Sequence, residues 1–502
     1  MNKFSQSSNI RFIVYGLLLL LLGIAVRLYN ISSLELSYFD EGAYILEAAR
    51  MFHREPSTDY YYARPGFDFL LGLTRFFVDD PALAGRLLSA LGFAAIGIFI
   101  LQPVRRIMGS KVALMSLSYL CLMALNVYYS RLIFPDSIVS AMLFGAITLH
   151  VLSEEKKSST LACYVGILLG LTIVTGSYRI GPTLISLMGV FIFTLIKKNF
   201  EIGFIKRFAI TLAPSLIIIY VFNKKFQFFT QIRTVLTASA LTRDKDLSKL
   251  QPDFLFFIFV LAISTPFLVI TATAIINRLK SKKSVDENEF SDPSSIYFTR
   301  LMWTLLLAPI IFHTFYYLRA PKVLSASLPA LAILMAAATV KIKNQTLRVT
   351  TFVVAICVSI TQCYFVLSGM GVRNSTAFYT KLASLEGVVS YGNALVVKSV
   401  TPFNPAKTSI VLGWDCDWRP ESCNPDYSVM SPTAYELLST TDKKNWSVHE
   451  SWDLKFVAWG SLLYQLETFD SSPKTILKNI KPGFFIESPL PWLILKKKTP
   501  NE

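Results

Sequence analysis

Phe12-Ile13-Val14-Tyr15-Gly16-Leu17-Leu18-Leu19-Leu20-Leu21-Leu22-Gly23-Ile24-Ala25-Val26-Arg27-Leu28 is apolar up to its penultimate residue. A helix crossing about 30 Å of hydrocarbon needs roughly 20 residues at 1.5 Å each. Runs near that length recur about eleven times, near 12–28, 84–104, 112–128, 134–152, 160–176, 181–196, 208–222, 254–276, 300–317, 323–340 and 349–367. Composition agrees: 53% of the 502 residues are hydrophobic and 16% are charged, where a soluble chain carries about a quarter. A soluble globular protein, a disordered chain and a disulfide-stapled secreted domain are excluded. The expected fold class is an all-α polytopic membrane protein of about 11 transmembrane helices.

The net charge of +16 does not point to nucleic acid, because the basic residues sit in short clusters between apolar runs. Lys and Arg in short loops mark the cytoplasmic side. With the N-terminus cytoplasmic, the inside connections hold Arg105, Arg106 and Lys111, then Lys197, Lys198, Lys206 and Arg207. They also hold Arg278, Lys280, Lys282 and Lys283, then Lys341, Lys343 and Arg348. Val26 leads into Arg27-Leu28-Tyr29 with no small-residue cleavage site, so the first run reads as a retained anchor.

Three segments are too polar to span: residues 29–83, 223–252 and 368–502. The first two read as outer loops of a transmembrane core, residues 1–367, and loop 29–83 holds two expected helices, Glu41 to Phe52 and Phe67 to Phe77. The tail carries Pro, Trp and apolar stretches such as Ala394-Leu395-Val396-Val397, which fits a small α+β domain. Odd crossing parity puts it outside, in an extracytoplasmic position. Of the six Cys, Cys416 and Cys423 alone stand in a polar region. A disulfide between them needs the oxidising compartment that this topology provides.

Four polar clusters fall on the outer face. Phe39-Asp40-Glu41-Gly42-Ala43-Tyr44 places two carboxylates just beyond the first span, where they are costly unless solvated or used. Asp40 also suits an N-cap for the following helix. Neighbours on a helix face different directions, so the pair is not an acid/base dyad. The other clusters are Arg131 to Asp136, Arg64-Pro65-Gly66 with Arg86, and Arg319-Ala320-Pro321-Lys322. Each cation could instead anchor a span end by reaching for headgroups. Taken together, one carboxylate among outward-facing cations suits a lipid-phosphate substrate. Arg grips phosphate oxygens bidentately and Lys acts as a point charge, while the carboxylate takes the proton of an acceptor hydroxyl.

The arrangement resembles the GT-C membrane glycosyltransferases, and within them the protein O-mannosyltransferase and lipid A aminoarabinose-transferase group. The acidic motif at Asp40-Glu41 carries most of the resemblance, which covers roughly residues 10–340. Arg64-Pro65 stands where bacterial members often have Lys-Pro-Pro, Arg86 to Leu91 matches their second-span start, and Arg131 to Asp136, Arg319, Lys322 and Pro329 follow in style. The chain departs from the pattern at Arg64, at Gly66 and throughout the tail.

The resemblance implies a polyprenyl- or dolichyl-phosphate sugar donor, a lipid, glycan or protein acceptor, and inverting transfer on the extracytoplasmic side of a plasma or inner membrane. Asp40 would be the base, Glu41 its support, and Asp136 would orient the acceptor or a cation. Arg64, Arg131, Arg319 and Lys322 would bind the donor phosphate. Some members of the group bind a divalent metal and others do not. His53, His150, His313 and His449 show no ligand spacing, so no metal ligand is named; the sequence requires no cofactor, and a divalent metal stays an open alternative. Two other readings remain: a lipid-linked polysaccharide polymerase or ligase, and a transporter or flippase. The polymerases and ligases usually centre on a larger outer loop with Arg and His. A transporter would be expected to place charges inside its spans, whereas Arg27, Arg131, Asp136 and Arg179 lie at span ends.

Overall fold

The computed structural model describes residues 3–36, 38–53, 64–197, 201–233, 254–280, 292–315, 320–369, 375–391, 397, 407–412, 424–438, 440–457 and 487–498. Arg319, Cys416 and Cys423 lie outside them, as do residues 234–252 of the second expected outer loop and most of the Ala394 to Val397 stretch.

The protein is a helical bundle carrying a small C-terminal sheet. The bundle begins with α1 (Lys3–Leu28), the first-loop helices α2 (Phe39–His53) and α3 (Pro65–Thr74), and α4 (Pro81–Phe99). α4 continues through a π-turn at Ile100–Val104, which accommodates Pro103, into α5 (Arg105–Met108). Next come α6 (Ser110–Leu122), α7 (Ala124–Tyr129), α8 (Asp136–Lys156), α9 (Ser159–Gly176), α10 (Gly181–Lys197) and α11 (Ile202–Phe226). α12 (Phe254–Ser264), α13 (Phe267–Lys280), α14 (Pro293–Phe315), α15 (Leu328–Val340) and α16 (Gln345–Gly369) complete the bundle.

Among the described residues, eight helices are long and apolar enough to cross a membrane. A helix stands at each of the eleven expected runs, and three of them differ from a plain span. α10 and α6 are apolar but shorter, and α6 is followed by α7 after a break at Met123, whose backbone is extended. α12 and α13 meet at a bend of 100°. Flanking contacts fit this bent pair as one broken crossing. On one side, Phe222 of α11 packs on Phe69 of first-loop helix α3 at 6.1 Å. On the other, Ser295 of α14 donates to Ile107 O, at the far end of the second span, at 2.6 Å. The segment from Pro321 to Val340 is the most enclosed crossing, 89% buried, and forms the centre of the apolar core.

Packing at one end is set by buried arginines. The Met123 break ends the α6 hydrogen-bond ladder, and Arg27 donates to Leu120 O at 3.2 Å and Cys121 O at 3.1 Å. Its guanidinium lies 3.4 Å from the Phe93 ring centroid. Arg131 in turn donates to Val26 O at 2.9 Å and Arg27 O at 3.3 Å, satisfying carbonyls at the end of α1 that no helix turn can reach. These two clamps hold the 130–135 turn against the first span.

The C-terminal region comprises α17 (Ser375–Ser384), β1 (Gly387–Tyr391), β2 (Thr408–Leu412), β3 (Tyr427–Met430), α18 (Pro432–Leu437), α19 (Thr440–Lys444), β4 (Trp446–Val457) and β5 (Glu487–Lys497). Its sheet runs in the order β2-β1-β3-β5-β4. β1 is parallel to both neighbours, and β5 is antiparallel to both of its own. Phe378, Tyr391, Trp452 and Trp492 pack edge to face or tilted between α17 and the sheet. This is the α+β unit that the tail's composition suggested.

Candidate active site

Asp40 is the second residue of α2, inside the first turn rather than at the cap. There its carboxylate meets the positive end of the helix and accepts from Lys322 Nζ at 3.2 Å. Lys322 comes from the short 3-10 segment Pro321–Ser327, 282 residues away in sequence. The two side chains are 15% and 10% exposed, so the pair is largely shielded from water yet reachable. Lys322 Nζ also lies 5.4 Å from the Phe134 ring centroid, a cation–π contact.

Glu41 is fully buried. Its Oε2 accepts from Tyr38 N at 3.2 Å, the back-bond of a capping box. Its Oε1 accepts from Ile133 N at 3.2 Å, tying the acidic loop to the 130–135 turn. The Tyr38 and Tyr128 hydroxyls are hydrogen-bonded across the same junction. Tyr38, Tyr44 and Tyr129 all meet the Phe134 ring edge to face. Glu41 therefore holds the local architecture while Asp40 faces the cation.

Beside Lys322 is a cleft lined by Arg64, Asp136, Arg179, Thr183, Pro309 and Lys322, among others. Arg64 donates to the Tyr44 hydroxyl at 2.5 Å and precedes α3, whose Pro65 start needs no N–H partner. Asp136 begins α8, and its Oδ2 is buried without a hydrogen-bond partner among the described residues. Asp40 is not among the residues that line the cleft; Lys322 stands at the wall between them. Two turns of helix below, the same helices α8, α9 and α10 line an apolar cavity of about 250 Å³ that includes Ile147, Leu169, Ile173, Leu184, Leu187 and Phe191. Ile173 lies one turn from Gly176 of the cleft and Leu184 follows Thr183 directly.

The structure brings Asp40, Asp136, Arg64 and Lys322 to one end of the bundle. It places Arg131 elsewhere: that guanidinium is spent on the carbonyls of Val26 and Arg27, and burial pulls its pKa down to about 10. Arg86 likewise donates to Ile31 O at 3.2 Å. Arg179, noted in the sequence only as a charge at a span end, and Tyr44, quoted only as the last residue of the acidic cluster, join the site without having been named as site residues. Arg179 could have been found from its place in Ser177-Tyr178-Arg179, a polar break between two apolar runs. Tyr44 carried no such signal. Among the described residues, no three His, Cys, Asp or Glu side chains come together to hold a metal ion.

No protein-family model matches the chain, and no curated protein matches it by sequence. Solved structures do share its fold. ArnT from Cupriavidus metallidurans, bound to undecaprenyl phosphate, superposes with a TM-score of 0.53 at 12% identity, covering 88% of this chain and 96% of that one. The Archaeoglobus fulgidus oligosaccharyltransferase in complex with Zn and sulfate gives 0.54 at 13% identity, over 84% and 69%. The same enzyme tethered to an acceptor peptide containing the NVT sequon gives 0.55 at 11% identity over the same shares. The fold is that of GT-C glycosyltransferases.

Proposed function

We propose that the protein is an integral membrane glycosyltransferase that moves a sugar from a polyprenyl- or dolichyl-phosphate donor to a lipid, glycan or protein acceptor. The observation that carries this is the Asp40–Lys322 pair, 3.2 Å long, at the wall of a cleft that also presents Arg64, Arg179 and Asp136. A carboxylate beside a cationic cleft, on a GT-C fold, is what sugar transfer from a lipid phosphate requires. The apolar cavity below the cleft suits the first isoprenoid units of such a donor.

In the proposed reaction the acceptor hydroxyl gives its proton to Asp40 as its oxygen attacks the anomeric carbon. The bond from that carbon to the phosphate oxygen breaks, and the electron pair leaves with the polyprenyl phosphate. A single displacement inverts the anomeric centre. Lys322, Arg64 and Arg179 stabilise charge on the leaving phosphate, which needs no acid. A phosphate in the cleft competes with Asp40 for Lys322, and the carboxylate becomes a better base as the ammonium is drawn off. Asp136 orients the acceptor or a cation across the cleft. With the N-terminus cytoplasmic, this end faces the extracytoplasmic side, and residues 368–502 form an extracytoplasmic domain.

The test is mass spectrometry of glycans and lipids from cells with and without the protein, alongside binding of undecaprenyl phosphate to the purified chain. The reading expects a glycosylated species that disappears with the protein, and saturable binding that weakens in Arg64→Ala. Unchanged glycans together with no binding would reject it.

A further inference from the structure

The segment that delivers Asp40 is held from outside the bundle. Glu35, five residues before Asp40, accepts through one oxygen from both Ser375 N, at 2.5 Å, and Ser375 Oγ, at 2.6 Å. Ser375 is the first residue of α17, so the carboxylate sits at that helix's N-terminus, where orphan N–H groups and the helix dipole both favour a negative charge. One helical turn on, Tyr379 OH donates to Leu36 O at 3.2 Å. Ser375, Leu36 and Tyr379 are all buried. Beyond this clamp, the chain is fastened again at Tyr38 and Glu41 by the Tyr128 hydroxyl and Ile133 N. The segment entering α2 is thus fixed on one side by the C-terminal domain and on the other by the bundle. The Asp40–Lys322 contact is made where those two constraints meet.

We propose that α17 of the C-terminal domain positions Asp40, with Glu35 as the residue through which it acts. Glu35 does not line the cleft; it is a positioning residue. The inference rests on the proposed role of Asp40, but its physical core, a clamp from α17 to the acidic loop, can be measured independently of that role. Charge-assisted bonds to the N-terminus of a helix are among the stronger polar contacts, and Gln at position 35 would keep an oxygen able to accept both of them.

The experiment uses the full chain in lipid nanodiscs. Hydrogen exchange of the peptide covering residues 35–44 is followed in Glu35→Ala, Glu35→Gln, Ser375→Ala and the Glu35→Ala/Ser375→Ala pair. Undecaprenyl phosphate binding and the cellular glycosylated product are measured on the same set. Glu35→Ala removes both charge-assisted hydrogen bonds and should speed exchange of that peptide at least about tenfold, the low end for a single such bond, and lower the product by a similar factor while lipid binding stays unchanged. Glu35→Gln, which keeps the acceptor oxygen but not the charge, should restore a large part of both. Ser375→Ala, which keeps its backbone N–H, should show a smaller effect, and the double variant should be no worse than Glu35→Ala. Normal exchange in Glu35→Ala overturns the clamp. Fast exchange with undiminished product, or product loss that Glu35→Gln does not rescue, overturns the positioning role. If the unaltered protein shows neither binding nor product, the glycosyltransferase reading fails while the exchange result still stands.

Discussion

Arg131 and Arg64 are each 1% exposed at the same end of the bundle, yet they do different work. Arg131 meets backbone carbonyls of α1, and Arg27 answers with those of α6. Arg64 meets a side-chain hydroxyl and lines a cleft alongside Arg179, Lys322 and Asp136. Backbone carbonyls stay where the helix ends put them, so an arginine bonded to them is part of the frame. A cation facing a cleft can turn to a ligand. Burial alone does not tell the two arginines apart; their acceptors do.

The largest effect is expected where the frame is broken. Arg27→Ala strands the carbonyls of Leu120 and Cys121, each costing about 1–3 kcal/mol when buried without a partner. The variant should be recovered poorly in folded form, with a much lower melting point in detergent. A variant of near-normal stability would put Arg27 in the same class as the cleft cations. Arg64→Ala and Lys322→Met should act on ligand binding instead. Undecaprenyl phosphate affinity is expected to fall roughly 10- to 150-fold, the range of a bond to a charged group, and Arg64→Lys should retain part of it; the melting point should change little in Arg64→Ala but drop in Lys322→Met, which strands the shielded Asp40 carboxylate. Normal affinity in both would return these residues to the frame.

Asp68 gives a pH-dependent version of the same contrast. It lies on first-loop helix α3, and its carboxyl is held well above the usual carboxylate range, first by burial and then by the neighbouring Glu47 carboxylate, with Arg64 pulling the other way. A raised folded value means that the neutral form suits the fold. Stability is then complete below the ordinary carboxylate value of about 3.9 and declines as pH climbs towards the raised one. Asp68→Asn mimics the neutral form, so its melting point should hold steady across that window, where that of the unaltered protein drops. Parallel pH curves would show that Asp68 is not the group responsible. The smallest effect belongs to the opposite end of the bundle. Arg106 pairs with Glu155 at 2.7 Å but the two are 49% and 31% exposed, and Arg106→Gln should cost about 0.2–1 kcal/mol or less. Arg207–Glu154, also at 2.7 Å, is 8% and 9% exposed. Arg207→Gln should cost on the order of 3–5 kcal/mol, because it strands a buried carboxylate. A double-mutant comparison of melting points ranks the two.

What was legible in the sequence follows the same division. The apolar runs announce the bundle because hydrocarbon thickness sets their length, and every expected run carries a helix. The 100° bend between α12 and α13 and the break at Met123 were hidden, since apolar composition reports burial in lipid and not backbone direction. Asp40 and Lys322 could be picked out as charges where charge is costly. Arg131 looked like a site cation and is bonded into the frame, because its acceptors lie 104 and 105 residues away and local spacing carries no trace of them. Glu35 passed unnoticed for the same reason: its partner Ser375 is 340 residues distant.

The central claim is that the Asp40 carboxylate takes the acceptor's proton, and Asp40→Asn tests it most directly. Asn keeps the size of Asp and can still accept a hydrogen bond from Lys322, but it cannot act as the base. The measurement is the glycosylated product in cells holding equal amounts of membrane-inserted protein, with undecaprenyl phosphate binding checked on the purified variant. Product formation should drop about 10²- to 10⁴-fold, the usual contribution of a general base, while the lipid still binds. Near-normal product from Asp40→Asn would contradict the account and leave Asp40 as an ion-pair partner that secures Lys322.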